Sequence, residues 1–137
     1  GSMLVGTRDF IARARHLRKM VGGGMRQAGV LAAAGLISLE KMTGRLGQDH
    51  ARARKLSEGL EQFNGLVLDA GTLSTNMVYF NLADEVKLSV NQIVDEMKKR
   101  GVLVDWAGHR RFRLVTHYWV DDAGVEKTIK AFAEILK

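Results

Sequence analysis

Two arginines stand where their chemistry is specific. Arg26 follows Gly22-Gly23-Gly24 and opens a predicted helix. Free backbone amides and the positive end of a helix favour anions at such a place, so a guanidinium there suits a phosphate or a carboxylate. Arg113 lies in a predicted strand, with Phe112 and Leu114 on the opposite parity. A guanidinium offers a planar two-bond fork that matches a carboxylate. Each has a plainer reading: Arg26 as an exposed arginine after a flexible loop, and Arg113 as a solvated edge-strand side chain. Arg110 and Arg111 are close enough to compete with Arg113 for its role.

The other reactive side chains are less telling. His117 closes the strand of Arg113 and has the right pKa range for acid–base work, although a lone histidine at a strand end is more often structural. His16, His50 and His109 stand apart, with no metal-ligand spacing. Asp95-Glu96 and Asp121-Asp122 are adjacent pairs, which point apart on a helix and read as surface or caps. There is no cysteine, which excludes disulfides, thiolate metal sites and cysteine nucleophiles. Lys19, Lys41, Lys55, Lys98, Lys99 and Lys137 lie in or near charged helical stretches.

The elements that must position these groups follow from periodicity. Met3 to Val5 reads as a short strand. Thr7 suits an N-cap, and Phe10, Ile11, Ala14, Leu17 and Val21 recur at helical spacing, predicting a helix over 8–20 that the glycine run ends. A second helix is predicted over 25–43, apolar nearly all round between Ala28 and Leu39 and therefore buried. A third covers 46–63 and stops at Asn64-Gly65. Strands are then predicted at Leu66–Leu68, Asn76–Leu82, Val102–Val104 and Arg113–His117, with helices from Val90 to Arg100 and from Asp121 or Asp122 onward. The second half thus reads β-β-α-β-β-α, an α+β arrangement with a four-stranded sheet. The natural division is 1–64, a strand and helical segment, and 65–137, a small α+β domain.

The 137 residues fit one domain, with 46% hydrophobic and 26% charged residues. No apolar run approaches the roughly 18 residues that a membrane span needs, and no signal peptide is visible. A cytoplasmic setting is the default, with a mitochondrial one the alternative. The net charge of +6 is uneven: residues 1–60 hold eleven Lys/Arg against four Asp/Glu, while the remainder holds ten against eleven. A basic half is compatible with a nucleic-acid partner, but the bland reading is a solvated helix face.

The run Gly22-Gly23-Gly24-Met25-Arg26-Gln27-Ala28-Gly29 resembles the G-G-G-M-R-Q-A-G stretch of low-specificity threonine aldolases and related β-eliminating lyases of the aspartate aminotransferase fold. Other segments agree in order. Gly1 to Gly6 looks like the strand after the cofactor lysine, and Asp9-Phe10-Ile11 and Arg18-Lys19-Met20 resemble the helix before the glycines. Thr75-Asn76-Met77-Val78 is similar to the family's T-N-I-V strand, and Arg113-Leu114-Val115-Thr116-His117 to its R-x-V-T-H strand. Where the family often continues with an aspartate, Tyr118-Trp119-Val120 follow.

The resemblance implies the C-terminal small domain of a pyridoxal 5'-phosphate enzyme, preceded by long interdomain helices. It implies cleavage of β-hydroxy-α-amino acids such as threonine to glycine and an aldehyde. By resemblance Arg26 serves the cofactor phosphate or the substrate, in its own or a neighbouring subunit's site, with the cofactor as its assigned ligand, and Arg113 serves the substrate α-carboxylate. The lysine that forms the imine with the cofactor belongs to a large N-terminal domain that should lie upstream, so the segment alone is expected to be inactive and not to bind the cofactor. The implied partners are that large domain, a small amino-acid substrate and further copies in a dimer or tetramer. A membrane partner is not expected, and a nucleic acid is disfavoured because no binding signature accompanies the basic helix. The remaining alternative is a non-catalytic assembly or interaction domain.

Overall fold

The computed structural model describes residues 3–69, 71 and 75–137. The chain forms two compact units, Gly1–Gly44 and Arg45–Lys137.

The first unit is helical. Helix α1, Arg8–Met20, starts as its sequence predicts: the Phe10 N–H donates to Thr7 Oγ1 at 3.4 Å, with Asp9 in the first turn. It closes on Gly22, whose φ of 78° favours glycine, and the Gly23 N–H returns to the Arg18 carbonyl at 2.8 Å. Helix α2 is shorter than expected: Gly29–Ile37 is α-helical, followed by a π-turn over Ser38–Met42 and a 3-10 turn over Thr43–Arg45. The Ser38 and Thr43 hydroxyls donate back to the Ala34 and Leu39 carbonyls, each at 3.0 Å, a pattern that competes with the regular ladder. Its apolar residues are not buried as expected. Val30, Leu31, Leu36, Ile37 and Leu39 are all more than half exposed. Met3–Val5 forms no strand, since the described residues of this unit offer no second strand to pair with. Gly1 and Ser2, part of the motif at that end, lie outside the described residues.

The second unit is a three-stranded antiparallel sheet with helices on one face. Helix α3, Leu46–Glu61, leads into β1, Leu66–Leu68, and β2, Met77–Leu82. Helix α4, Val90–Lys99, is opened by a capping box in which Ser89 and Gln92 exchange backbone and side-chain bonds. Strand β3, Arg111–Val115, and helix α5, Asp122–Ile135, with Asp121 as N-cap, complete it. The sheet order is β1-β2-β3. The expected fourth strand at Val102–Val104 does not join it. After α4 the chain forms an isolated bridge to β3, Trp106 opposite Phe112, with the Ala107 N–H donating to the Arg111 carbonyl at 2.7 Å, and Leu103 is exposed. Val-Leu-Val has strand character, but membership of a sheet is decided by an available ladder, not by propensity.

The core lies between the sheet's inner face and the helices. Val78, Phe80, Leu82, Phe112 and Leu114 meet Leu56 and Leu60 of α3, Ile93 and Met97 of α4, and Val125 and Phe132 of α5. Phe80 and Phe112 stack at 5.3 Å between centroids, and Phe132 stands edge-on to both, at 5.5 and 6.4 Å. Such pairs add roughly 0.5–1.5 kcal/mol each beyond their buried area. Among the described residues no helix is long and apolar enough to cross a membrane.

Candidate anion-binding face of the sheet

Because side chains alternate along a strand, burying Phe112 and Leu114 of β3 forces Arg111, Arg113 and Val115 onto the opposite, open face. Met77, Tyr79 and Asn81 of β2 join them there. The register pairs Tyr79 with Arg113, Asn81 with Arg111 and Met77 with Val115. The Thr116 N–H donates to the Asn76 carbonyl and the Leu82 N–H to the Arg110 carbonyl, so hydrogen-bonded pairs fall on Asn76, Val78, Phe80 and Leu82. Tyr79 and Arg113 therefore form a non-hydrogen-bonded pair, the kind that brings side chains closest.

The three clustered arginines separate cleanly. Arg110, at φ 55°, turns its guanidinium onto the carbonyls of Ala83 and Val86 at 2.7 and 3.0 Å and reaches that of Leu82 at 3.5 Å. It is a strut for the loop after β2. Arg111 is ion-paired through Nη2 with Asp69, and its guanidinium lies 4.7 Å over the Tyr79 ring. Its Nε is buried without a hydrogen-bond partner. Arg113 is exposed and has no hydrogen bond or ion pair among the described residues. Tertiary pairing thus engages two of the three guanidiniums, those of Arg110 and Arg111.

Beyond β3 the chain is tied down. Thr116, 1% exposed, donates its hydroxyl to the Asp49 carbonyl at 2.6 Å. The Asp49 carboxylate is buried and takes a two-bond fork from Arg45, at 2.9 and 3.0 Å. The same guanidinium lies 4.9 Å from the Tyr118 ring. His117 is exposed, and its Nδ1 accepts the Trp119 N–H at 3.2 Å. Arg113 and His117 both line a groove of about 360 Å³, together with Val102 to Asp105.

Arg26 belongs to the first unit. It is exposed and lies in the turn before α2, three residues ahead of the first helical residue rather than within the first turn. Gln27 has a φ of 51°, and the N-cap Ala28 provides no side-chain cap. Among the described residues no group of three or more His, Asp and Glu is placed to hold a metal ion.

Sequence reasoning did not single out Asp69, Tyr79 or Asn81. The signal that could have found two of them is strand alternation, which places Met77, Tyr79 and Asn81 on the face opposite Val78, Phe80 and Leu82. Nothing local places Asp69 beside Arg111, 42 residues away.

A family model described as beta-eliminating lyase matches residues 1–83. A probable low-specificity L-threonine aldolase 2 of Arabidopsis thaliana is 38% identical over 135 residues, covering 98% of this chain and 38% of that protein. A low specificity L-threonine aldolase of Escherichia coli O157:H7 is 41% identical over 117 residues, covering 85% of this chain and 33% of that protein. The chain thus spans little more than a third of the length of these relatives. Among solved structures, a variant of the lyase C-DES with glycine covalently linked to its PLP cofactor shares the fold, with a TM-score of 0.62 at 21% identity, over 78% of this chain and 28% of that one.

Proposed function

Because the chain belongs to the beta-eliminating lyase family, we propose that it is the C-terminal part of a pyridoxal-phosphate-dependent aldolase that cleaves β-hydroxy-α-amino acids such as threonine. Two relatives bearing that activity in their names, matched over only 33% and 38% of their length, support both the activity and the need for a further region. The lysine that holds the cofactor then comes from outside these residues. The apolar side chains left exposed on α2 support burial against that region or a second subunit.

The donors present fit the anionic groups involved. Arg26 offers an exposed guanidinium in the turn before a helix whose first amides have no side-chain cap, chemistry that suits a phosphate. Arg113 offers an uncommitted fork on the sheet face, which suits a substrate carboxylate. When bound, pyridoxal phosphate supplies an electron sink for the carbanion left as the Cα–Cβ bond breaks. The task of this chain is to hold and orient. Arg113 fixes the carboxylate through two parallel N–H···O bonds and so sets the direction of the bond to be cleaved. His117, on the same groove with Nδ1 already accepting from Trp119, keeps Nε2 as the nitrogen available to a ligand.

The observation that carries this reading is the freedom of Arg113 beside two engaged neighbours. In the full-length protein, Arg113→Ala should lower kcat/KM for threonine by about tenfold or more, the range of a charged hydrogen bond of roughly 1.5–3 kcal/mol. Arg113→Lys should recover only part, because an ammonium lacks the fork. Unchanged turnover in Arg113→Ala would remove the assignment.

A further inference from the structure

Arg111 and Arg113 face the same side of β3, two residues and roughly 7 Å apart. Two free guanidiniums at that spacing would accept a ligand with two carboxylates at least as readily as one with a single carboxylate. The structure does not leave both free. Asp69 follows β1 and sits opposite Tyr79, its N–H donating to the Tyr79 carbonyl at 3.0 Å. From there Oδ2 accepts from Arg111 Nη2, and Oδ1 accepts from Asn81 Nδ2 at 2.9 Å. The Arg111 guanidinium also covers the ring of Tyr79, the direct cross-strand neighbour of Arg113. One cation on this face is thus neutralised and held flat, while the next remains open.

We propose that Asp69 is a specificity-determining residue: by holding Arg111 it leaves a single free guanidinium on the sheet face, so that the site takes amino acids with one carboxylate and an uncharged side chain. This rests on the reading of Arg113 as the carboxylate-binding group. Asp69 acts twice. It removes the second cation that a dicarboxylic substrate would use, and its own negative charge opposes a second carboxylate near Arg111.

The test uses the full-length protein. Two ratios are measured: kcat/KM for β-hydroxyaspartate over that for threonine, and, by calorimetry, the Kd of aspartate relative to that of alanine. Asp69→Asn should shift both towards the dicarboxylate by about tenfold, the worth of one charged hydrogen bond. Adding Arg111→Gln should cancel the shift, and Asp69→Glu should keep the original preference. Unchanged ratios in a folded Asp69→Asn protein overturn the proposal. Should that variant fail to fold, Arg111→Gln alone leaves the Asp69 charge unopposed and should weaken aspartate binding further; no change there overturns it equally. If Arg113→Ala leaves alanine and threonine binding intact, the fault lies with the carboxylate assignment. If Arg113→Ala abolishes binding while the Asp69 variants do not move the ratios, only the role of Asp69 fails.

Discussion

Two glycines of α3 should respond to the same substitution with opposite sign. An alanine replacing glycine within a helix gains roughly 0.5–1 kcal/mol by restricting the unfolded chain. At Gly47 nothing lies within 4 Å of the added methyl, and the position is near the helix start, so Gly47→Ala should stabilise by about 0.5 kcal/mol. At Gly59 the methyl would sit 2.4 Å from Ile129 Cδ1, 2.8 Å from Cγ1 and 3.2 Å from Cγ2 on α5. A β-branched side chain in a helix has essentially one good χ1 rotamer, so Ile129 cannot swing both branches clear. Overpacking of this kind costs roughly 1–3 kcal/mol, which outweighs the helix gain. Gly59→Ala should therefore be less stable by about 1 kcal/mol. Adding Ile129→Val, which deletes the nearest atom, should recover part of the loss. Urea unfolding followed by circular dichroism reads this as midpoints moving in opposite directions at constant slope. A Gly59→Ala protein as stable as the parent would show that α3 and α5 do not pack at this distance.

Thr116→Val preserves shape but removes the hydroxyl that ties the end of β3 to the Asp49 carbonyl; a loss of about 1 kcal/mol in the same assay is expected, and no loss would make that bond irrelevant to stability. Hydrogen bonds from Lys99 and then Arg100 hold the Glu96 carboxyl below its ordinary 4.5, and one from Arg52 holds Asp122 below 3.8. Their folded values lie under their unfolded ones, so the stabilisation is complete above those ordinary values and is lost as pH falls through the lowered ones. Asp122 is exposed and Glu96 half-buried at the surface, where water reaches both, so the effect is small and fades with salt. NMR titration should find both carboxyls protonating below their ordinary values, and a normal or raised midpoint for either contradicts the pairing.

What the sequence determined by itself is what short-range physics controls. Thr7, Ser89 and Asp121 cap their helices because an N-cap side chain needs only the amides two or three residues on. The alternation of Phe112 and Leu114 with Arg113 fixed which way that arginine points, since a strand reverses face at every residue. The glycine-run motif and the R-x-V-T-H strand identified the family, which the matching family model and relatives support. Other features required partners distant in the chain. Val102–Val104 has the composition of a strand, yet the segment makes no more than an isolated bridge to β3, at Trp106, so the sheet stops at three strands instead of four. The apolar centre of α2 signals burial, but burial needs a surface to cover it, and in this chain those residues stay exposed. Which of the guanidiniums of Arg110, Arg111 and Arg113 are engaged was likewise invisible locally, because the three share one charge and one segment. It was decided by the carbonyls of Ala83 and Val86 and by the carboxylate of Asp69, groups that sequence separates by 24 to 42 residues and the sheet brings within hydrogen-bonding reach.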